Sequence, residues 1–295
     1  MSQRDLKSVK YASYASVAVA CVLIIIKLFA WQMTGALSLQ ASLIDSLLDG
    51  LASLLNMVAI RQALRPPDAE HRFGHGKIEA IGALAQSIFI FGSAGWLLYE
   101  AVNRFVHPYP LEKAEMGLWV MGFSIVLTLG LVLYQKAVFK RTNSIAIHAD
   151  SIHYQSDLFI NIGVIIALLG STFEGMVFLD PLIGAGIAAY ILYTAWKVAA
   201  QSFDILIDRE FSQEERQKII CLVLSHPQVL GYHDLRTRSS GTQKFIQIHL
   251  EMDGNLTLKA VHKISHEVIL KIHQAFPYTE VLIHEDPSGE IDEHP

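Results

Sequence analysis

Six long apolar stretches constrain this chain more than any other feature of its sequence. They cover roughly residues 11–31, 38–63, 80–104, 115–135, 145–169 and 178–203. An α-helix needs about 20 residues to cross the hydrocarbon core of a bilayer. The chain is also 52% hydrophobic and only 17% charged, which gives it more apolar surface than a soluble core needs. The sequence therefore predicts an α-helical polytopic membrane protein with six transmembrane helices.

Basic residues in the short loops predict the orientation of these helices, because such residues concentrate on the cytoplasmic side of a membrane. On one side we count Arg4, Lys7, Lys10, Arg61, Arg65, Arg72, Lys77, Lys136, Lys140 and Arg141. The other side has Arg104 and Lys113. We therefore expect a multi-pass protein with both termini in the cytoplasm. The first stretch is too long for the apolar region of a signal peptide, so we expect it to remain attached.

The polar tail predicts a second domain with the element order αββαβ. Helical periodicity covers 212–225 and 257–275, and alternating or apolar segments typical of strands cover 229–238, 244–252 and 279–286. We predict a transmembrane domain over residues 1–207, a cytoplasmic metal-binding domain over 208–290 and a disordered acidic end over 291–295.

Composition excludes several classes of partner and chemistry. The formal net charge is −5, and residues 1–206 contain 14 basic and 14 acidic side chains, so the acidic excess lies in the tail. A nucleic-acid partner would call for a basic face, and we expect none. The two cysteines, Cys21 and Cys221, are too few for a disulfide framework or a thiolate cluster. Metal chemistry in this chain must therefore use histidines and carboxylates.

Polar residues interrupt two of the apolar stretches at a spacing of four. Asp45 and Asp49 lie in the second stretch, and His153 and Asp157 lie in the fifth. Residues four apart share one helix face, and carboxylates within a membrane rarely face lipid. Helix capping or hydrogen bonding between helices is the alternative interpretation. Three carboxylates and one imidazole from two helices match the ligands of tetrahedral Zn²⁺ and suit other first-row divalent ions.

The loop after the second stretch contains another group of candidate ligands. Asp68, His71 and His75 lie among prolines and glycines that permit a tight turn around an ion. A solvated polar loop is the alternative interpretation.

The tail contains eight of the 13 histidines. His284 and Asp286 alternate onto one face of the last predicted strand, and His249 is out of phase with the apolar residues of its own strand. This pattern predicts a metal-binding face on the sheet. Solvation or local hydrogen bonding is the preferred interpretation of His226, His266, His273 and His294. Lys27, in the first stretch, is interpreted as a cation that reaches the outer membrane interface.

Taken together, the six stretches, the two ligand pairs and the αββαβ tail resemble the cation diffusion facilitator family. The strings LIDSLLD (43–49), HRFGHGK (71–77) and HYQSD (153–157) look like those of its bacterial zinc and ferrous-iron efflux members. The resemblance covers nearly the entire chain. It implies a homodimer in the bacterial inner (plasma) membrane, a ferredoxin-like tail, and a charge interlock of Lys77 and Asp208 at the dimer junction.

Carried to the matching positions, the resemblance implies three metal sites. The transport site consists of Asp45, Asp49, His153 and Asp157. The loop site consists of Asp68, His71 and His75. In the tail, two ions share a bridging Asp286, one held also by His233 and His249 and the other by His262 and His284.

We therefore expect a proton-coupled antiporter that exports divalent metal, with Zn²⁺, Fe²⁺ and Cd²⁺ as cargoes and Zn²⁺ also as a structural or regulatory ion. His153 can link metal binding to protonation, because a proton and a metal compete for one imidazole nitrogen. One alternative is a membrane-embedded metalloenzyme, such as a hydrolase that uses metal-bound water, but the sequence offers no obvious general base. The other alternative is a metal sensor without transport, which would leave the intramembrane carboxylates unexplained.

Overall fold

A computed structural model describes residues 3–34, 37–106, 115–170 and 179–289. The chain divides into a helical unit, residues 2–203, and a second unit that contains residues 204–295. The acidic end predicted to be disordered, 291–295, lies outside the described residues.

Long helices make up the first unit. Within the described ranges these are α1 (Gln3–Thr34), α2 (Leu37–Ala63), α3 (Lys77–Val106), α4 (Glu115–Thr142), α5 (Ile145–Gly170) and α6 (Leu179–Leu206). Each predicted apolar stretch coincides with one of them to within about three residues, except that α1 begins eight residues earlier and α4 ends seven residues later than predicted. Four helices, α1 to α4, are long and apolar enough to cross a membrane over their described residues. The transmembrane role of α5 and α6 stays a prediction.

Small residues bring the helices of this unit together. Helix α1 packs against α2 and α4, and α3 packs against α2 and α5. A Cβ atom placed on Gly82 of α3 would lie 2.6 Å from the Cβ of Ala59 on α2, so only glycine permits this approach. Large side chains point outward, among them Trp96, Trp119 and Val126. This inverted pattern suits helices whose outer faces contact lipid and whose backbones approach closely.

The second unit has the predicted αββαβ order. Its elements are α7 (Gln213–Leu224), β1 (Gly231–Ser240), β2 (Gln243–Met252), α8 (Leu258–Ala275) and β3 (Thr279–Pro287). Strand β2 is central, antiparallel to β1 and parallel to β3, and α8 forms the crossover between β2 and β3. The ferredoxin-like description of this unit stays a prediction.

One face of the sheet is covered by the two helices. Ile246, Ile248 and Leu250 of β2 are buried in a core with Val268 and Ile272 of α8. Because side chains alternate along a strand, Gln247, His249 and Glu251 lie on the opposite face of β2. That face carries the candidate metal ligands of the tail.

Candidate metal sites

The structure brings three of the four predicted intramembrane ligands together. His153 Nε2 of α5 lies 3.2 Å from Asp49 Oδ1 of α2 and 3.9 Å from Asp157 Oδ2. Ligand atoms of these three residues all lie within 4.8 Å of one another. The side chain of His153 is only 7% exposed, and its Nε2 makes no hydrogen bond of good geometry within the described part of the chain. A buried nitrogen that faces two carboxylates in this way fits an atom that shares an ion with them.

Asp45 is near this group but not within it. The residue lies one helical turn before Asp49 and is exposed. Asp45, Asp49 and Asp157 line a common cavity of ≈ 70 Å³ between α1, α2, α4 and α5. The fourth ligand position predicted from the sequence is therefore beside the site, and the ligand assignment itself stays a prediction.

Lys27 corrects one interpretation of the sequence. Lys27 is only 9% exposed, and its side chain points into the protein, where it lines the same cavity as the carboxylates. Its Nζ donates to Ser46 Oγ at 2.6 Å and to the Ser42 carbonyl oxygen at 3.2 Å. Hydropathy alone could not place this ammonium, because it does not specify which face of α1 meets α2.

Sequence reasoning also missed a buried carboxylate, Asp150 of α5. Its Oδ2 accepts hydrogen bonds from Ser16 Oγ at 2.5 Å and Gln135 Nε2 at 2.6 Å, and its Oδ1 accepts one from Gln86 Nε2 at 3.0 Å. These partners come from α1, α4 and α3, so one carboxylate connects four helices. Its position three residues before His153, together with glutamines inside two apolar stretches, was the available signal.

The predicted loop ligands lie close together. Asp68 Oδ1 is 3.3 Å from His71 Nδ1, and Asp68 Oδ2 is 3.4 Å from His75 Nε2. The backbone N–H groups of His71 and Glu70 donate to Asp68 Oδ1 at 2.7 and 3.0 Å. These N–H groups hold the pKa of the Asp68 carboxyl below its usual range. Gly74 follows with φ 77°, a left-handed conformation that suits glycine. The turn thus presents an ionised carboxylate beside two imidazoles.

Register across the tail sheet places three histidines in one row. His233 of β1 pairs with His249 of β2, which pairs with His284 of β3. Asp286, two residues along β3, is 5% exposed and lies against all three. Its Oδ2 is 2.8 Å from His249 Nδ1 and 3.2 Å from His233 Nε2, and its Oδ1 is 3.2 Å from His284 Nε2. A bridging role for Asp286 fits this geometry.

Two features of the tail differ from the ligand set taken from the resemblance. His262 is exposed on α8, where its ring stacks 6.5 Å from that of His266, and it is not in the described group of candidate ligands. Glu251 of β2, which the sequence did not single out, contacts His233 Nδ1 through Oε1 at 3.1 Å. His233 can therefore direct Nε2 to a metal while Glu251 orients its ring, an arrangement common around metal-bound histidines.

Two family models together match most of the chain. The model described as cation efflux transmembrane domain matches residues 13–207, and that described as cation efflux protein, cytoplasmic domain, matches residues 211–288. The chain is 49% identical over 279 residues to the cation-efflux pump FieF of Shewanella oneidensis, covering 95% of this chain and 94% of the relative. It is 45% identical over 291 residues to FieF of Klebsiella pneumoniae, covering 99% and 97%.

One solved structure similar to part of this chain is described as the zinc form of the putative zinc transporter CzrB. It is 30% identical, covers 28% of this chain and 97% of its own, and has a TM-score of 0.27.

Proposed function

This chain belongs to the cation efflux family, also called the cation diffusion facilitators, and we propose that it exports a divalent metal ion in exchange for protons. The chain is a membrane protein and a cation efflux transporter, because it matches cation-efflux pumps over nearly their full length. Membership of this family removes the metalloenzyme alternative. The metal and the proton coupling are the parts that we propose.

One observation carries the proposal: His153 Nε2 lies between the carboxylates of Asp49 and Asp157, which come from two helices packed within an apolar unit. Oxygen and nitrogen donors of this kind suit Zn²⁺, Fe²⁺ and Cd²⁺. Asp45 would complete the set of four after a small movement of α2 or of its own side chain. A dication also offsets the cost of burying several carboxylates together.

Proton exchange follows from the chemistry of the same ligands. Carboxylates and imidazole bind a metal only after they lose their protons, so metal entry releases protons and proton entry expels metal. If the site opens alternately to the two sides of the membrane, as in other secondary transporters, protons entering from outside drive metal out. Zn²⁺ affinity of the site is therefore expected to fall as pH drops from about 7.5 to 6.

We propose that the loop and tail sites bind Zn²⁺ as a structural or regulatory ion. Asp286, with contacts to three histidine nitrogens, fits a bridging ligand: His233 and His249 would hold one ion, and His284 with His262 the other. His262 would have to reach this position by a rearrangement of its side chain or of α8. The functional unit is proposed to be a homodimer in the bacterial inner membrane, with both termini cytoplasmic and a domain boundary at residues 207–208.

The test is Zn²⁺ flux into sealed proteoliposomes that contain the purified chain. A proton gradient directed opposite to the metal should raise the flux, and an ionophore that collapses the gradient should remove the increase. Protein-free liposomes and a variant with Asp157→Asn serve as controls. Flux that is indifferent to the gradient would leave a passive carrier, and no flux of any metal would exclude this site as a pathway.

A further inference from the structure

The ammonium of Lys27 is held in place at the cavity lined by Asp45, Asp49 and Asp157, here called the transport cavity. Its ammonium is anchored by Ser46 Oγ at 2.6 Å and by the Ser42 carbonyl oxygen at 3.2 Å, both on α2. Ser42 and Ser46 are four residues apart and lie on the helix face that also carries Asp45 and Asp49. A lysine in a membrane span ordinarily extends its head toward water. Here the head is directed into the protein, toward the stripe of α2 that supplies the proposed ligands.

The transport cavity is lined by one positively charged side chain and three carboxylates. Among its described lining residues, the ionisable charges are those of Lys27, Asp45, Asp49 and Asp157, and the remaining side chains are apolar, hydroxyl or amide groups. His153 adjoins this set through Asp49 and Asp157. With a neutral imidazole, three carboxylates and a dication leave one negative charge. The ammonium of Lys27 cancels that charge, so the cavity-lining charges and the metal together sum to zero.

Neutrality matters because the site is in a medium of low dielectric constant. An uncompensated charge there is costly, whereas a balanced group of charges can move between two helix arrangements with little change in solvation. Lys27 cannot ligate a metal while it is an ammonium, since it has three donors and no acceptor. Its contribution to metal binding is therefore its charge and its fixed position.

We propose that Lys27 is the fixed counter-cation of the transport site, a positioning residue that balances the third carboxylate without touching the metal. This inference rests on the proposed transport function. Without the ammonium, the site carries one more negative charge, binds a dication more tightly and releases it more slowly. Lys27 thus keeps affinity low enough for turnover.

Two substitutions separate the charge of Lys27 from its hydrogen bonds. Lys27→Gln keeps a hydrogen-bond donor and removes the charge, whereas Lys27→Arg keeps both. Each is made in the full chain with Asp68→Ala and Asp286→Ala, so that the loop and tail sites do not contribute. Zn²⁺ affinity is measured in detergent by competition with a zinc-binding dye at pH about 8, where protons compete least. Maximal Zn²⁺ flux is measured in proteoliposomes.

Lys27→Gln is expected to bind Zn²⁺ about 10-fold more tightly or more, with a maximal flux reduced by a similar factor. The parent is the chain with Asp68→Ala and Asp286→Ala alone. Lys27→Arg should have an affinity and a maximal flux close to those of the parent. In case arginine does not fit, Lys27→Met removes both the charge and the hydrogen bonds, and it should bind Zn²⁺ as tightly as Lys27→Gln.

A structural role for Lys27 predicts a different pattern, in which flux falls while Zn²⁺ affinity is unchanged or weaker. That pattern, or a Lys27→Met variant that binds Zn²⁺ no more tightly than the parent, would overturn the inference. A parent that binds no Zn²⁺ within its helical unit would instead overturn the proposed function, and this inference with it. The parent and the Lys27→Gln measurements therefore distinguish the two failures.

Discussion

Single ionisable side chains inside apolar helices determine what this molecule can do. Asp49 and Asp157 are the clearest case, because each has a carboxylate oxygen within 3.9 Å of one buried imidazole nitrogen. Asp150, in contrast, accepts hydrogen bonds from three neutral side chains, a pattern typical of a structural connection between helices. Two aspartates seven residues apart on α5 thus have different partners, and we propose different roles for them.

Asp157→Ala should reduce Zn²⁺ flux by at least about 100-fold, since even the outer partners of metal ligands cost 10- to 100-fold when removed. The change removes both a ligand and a compensating charge. Gln155→Ala is the matched control, because Gln155 is on the same helix and, among the described residues, its amide donates to Ser151. Both variants should elute as the same folded species. Normal flux through Asp157→Ala would mean that metal crosses by another route.

A pH-dependent contact in the tail involves His226 and Glu267. His226 is 5% exposed, its Nδ1 accepts from the backbone N–H of Gln228, and its Nε2 lies 3.1 Å from Glu267 Oε2. This hydrogen bond lowers the pKa of Glu267 below its value in an unfolded chain, which is about 4.3. The contact therefore stabilises the fold above that pH, and its contribution is lost as pH falls through the folded-state pKa.

Glu267→Gln should speed hydrogen exchange in α7 and α8 at pH 6, and the difference from the wild type should shrink at pH below about 4. Glu280→Gln, on an exposed position of β3, serves as the control. An effect of Glu267→Gln that is equal at both pH values would show that the charge of this contact contributes nothing.

At the scale of elements, the helices of the membrane unit depend on close backbone approach. Gly82→Ala places a Cβ 2.6 Å from that of Ala59, a backbone-level clash between α3 and α2, whereas Gly95→Ala on the same helix meets nothing within 4 Å. We expect Gly82→Ala to lower the midpoint of thermal unfolding in detergent. Gly95→Ala should leave it unchanged or raise it, since alanine favours a helix over glycine by about 1 kcal/mol. The opposite order would mean that α2 and α3 do not pack as described.

Asp286 contacts one histidine from each of the three strands of the tail, so a metal bound there should stabilise all three strands together. In the full chain, Zn²⁺ should slow hydrogen exchange in β1, β2 and β3 by linkage, and Asp286→Ala should abolish most of that protection. His233→Ala or His284→Ala should remove less, because each contacts one carboxylate oxygen of Asp286. His262→Ala decides whether α8 contributes: protection equal to the wild type would remove His262 from the ligand set. Equal exchange with Zn²⁺ and with chelator would exclude a metal site on this sheet.

Sequence patterns predicted the elements well, because hydropathy and periodicity act locally. The apolar stretches anticipated the helix positions, alternation on β2 anticipated which face His249 occupies, and the αββαβ order is confirmed. Properties that depend on the rotation of one helix against another were missed. Lys27 on α1 and Asp150 on α5 are examples, since their partners are on other helices and more than 10 residues away in sequence. The family predicted from the motifs is confirmed by the family models and by relatives 45–49% identical.

For the molecule as a whole, we propose that metal and protons compete for the same intramembrane ligands. In an antiporter this competition becomes reciprocal coupling: if a proton gradient drives metal, a metal gradient must drive protons. Reciprocity separates an antiporter from a passive carrier that is merely sensitive to pH, because only the antiporter moves protons against their own gradient.

The most direct measurement uses proteoliposomes with an internal pH-sensitive dye, equal pH on both sides and Zn²⁺ added outside. As Zn²⁺ enters down its gradient, protons should leave and the interior should become alkaline, in proportion to the metal taken up. Asp157→Ala should abolish both movements together. Zn²⁺ uptake with no change of internal pH, in vesicles shown to hold a proton gradient, would contradict the exchange of metal for protons.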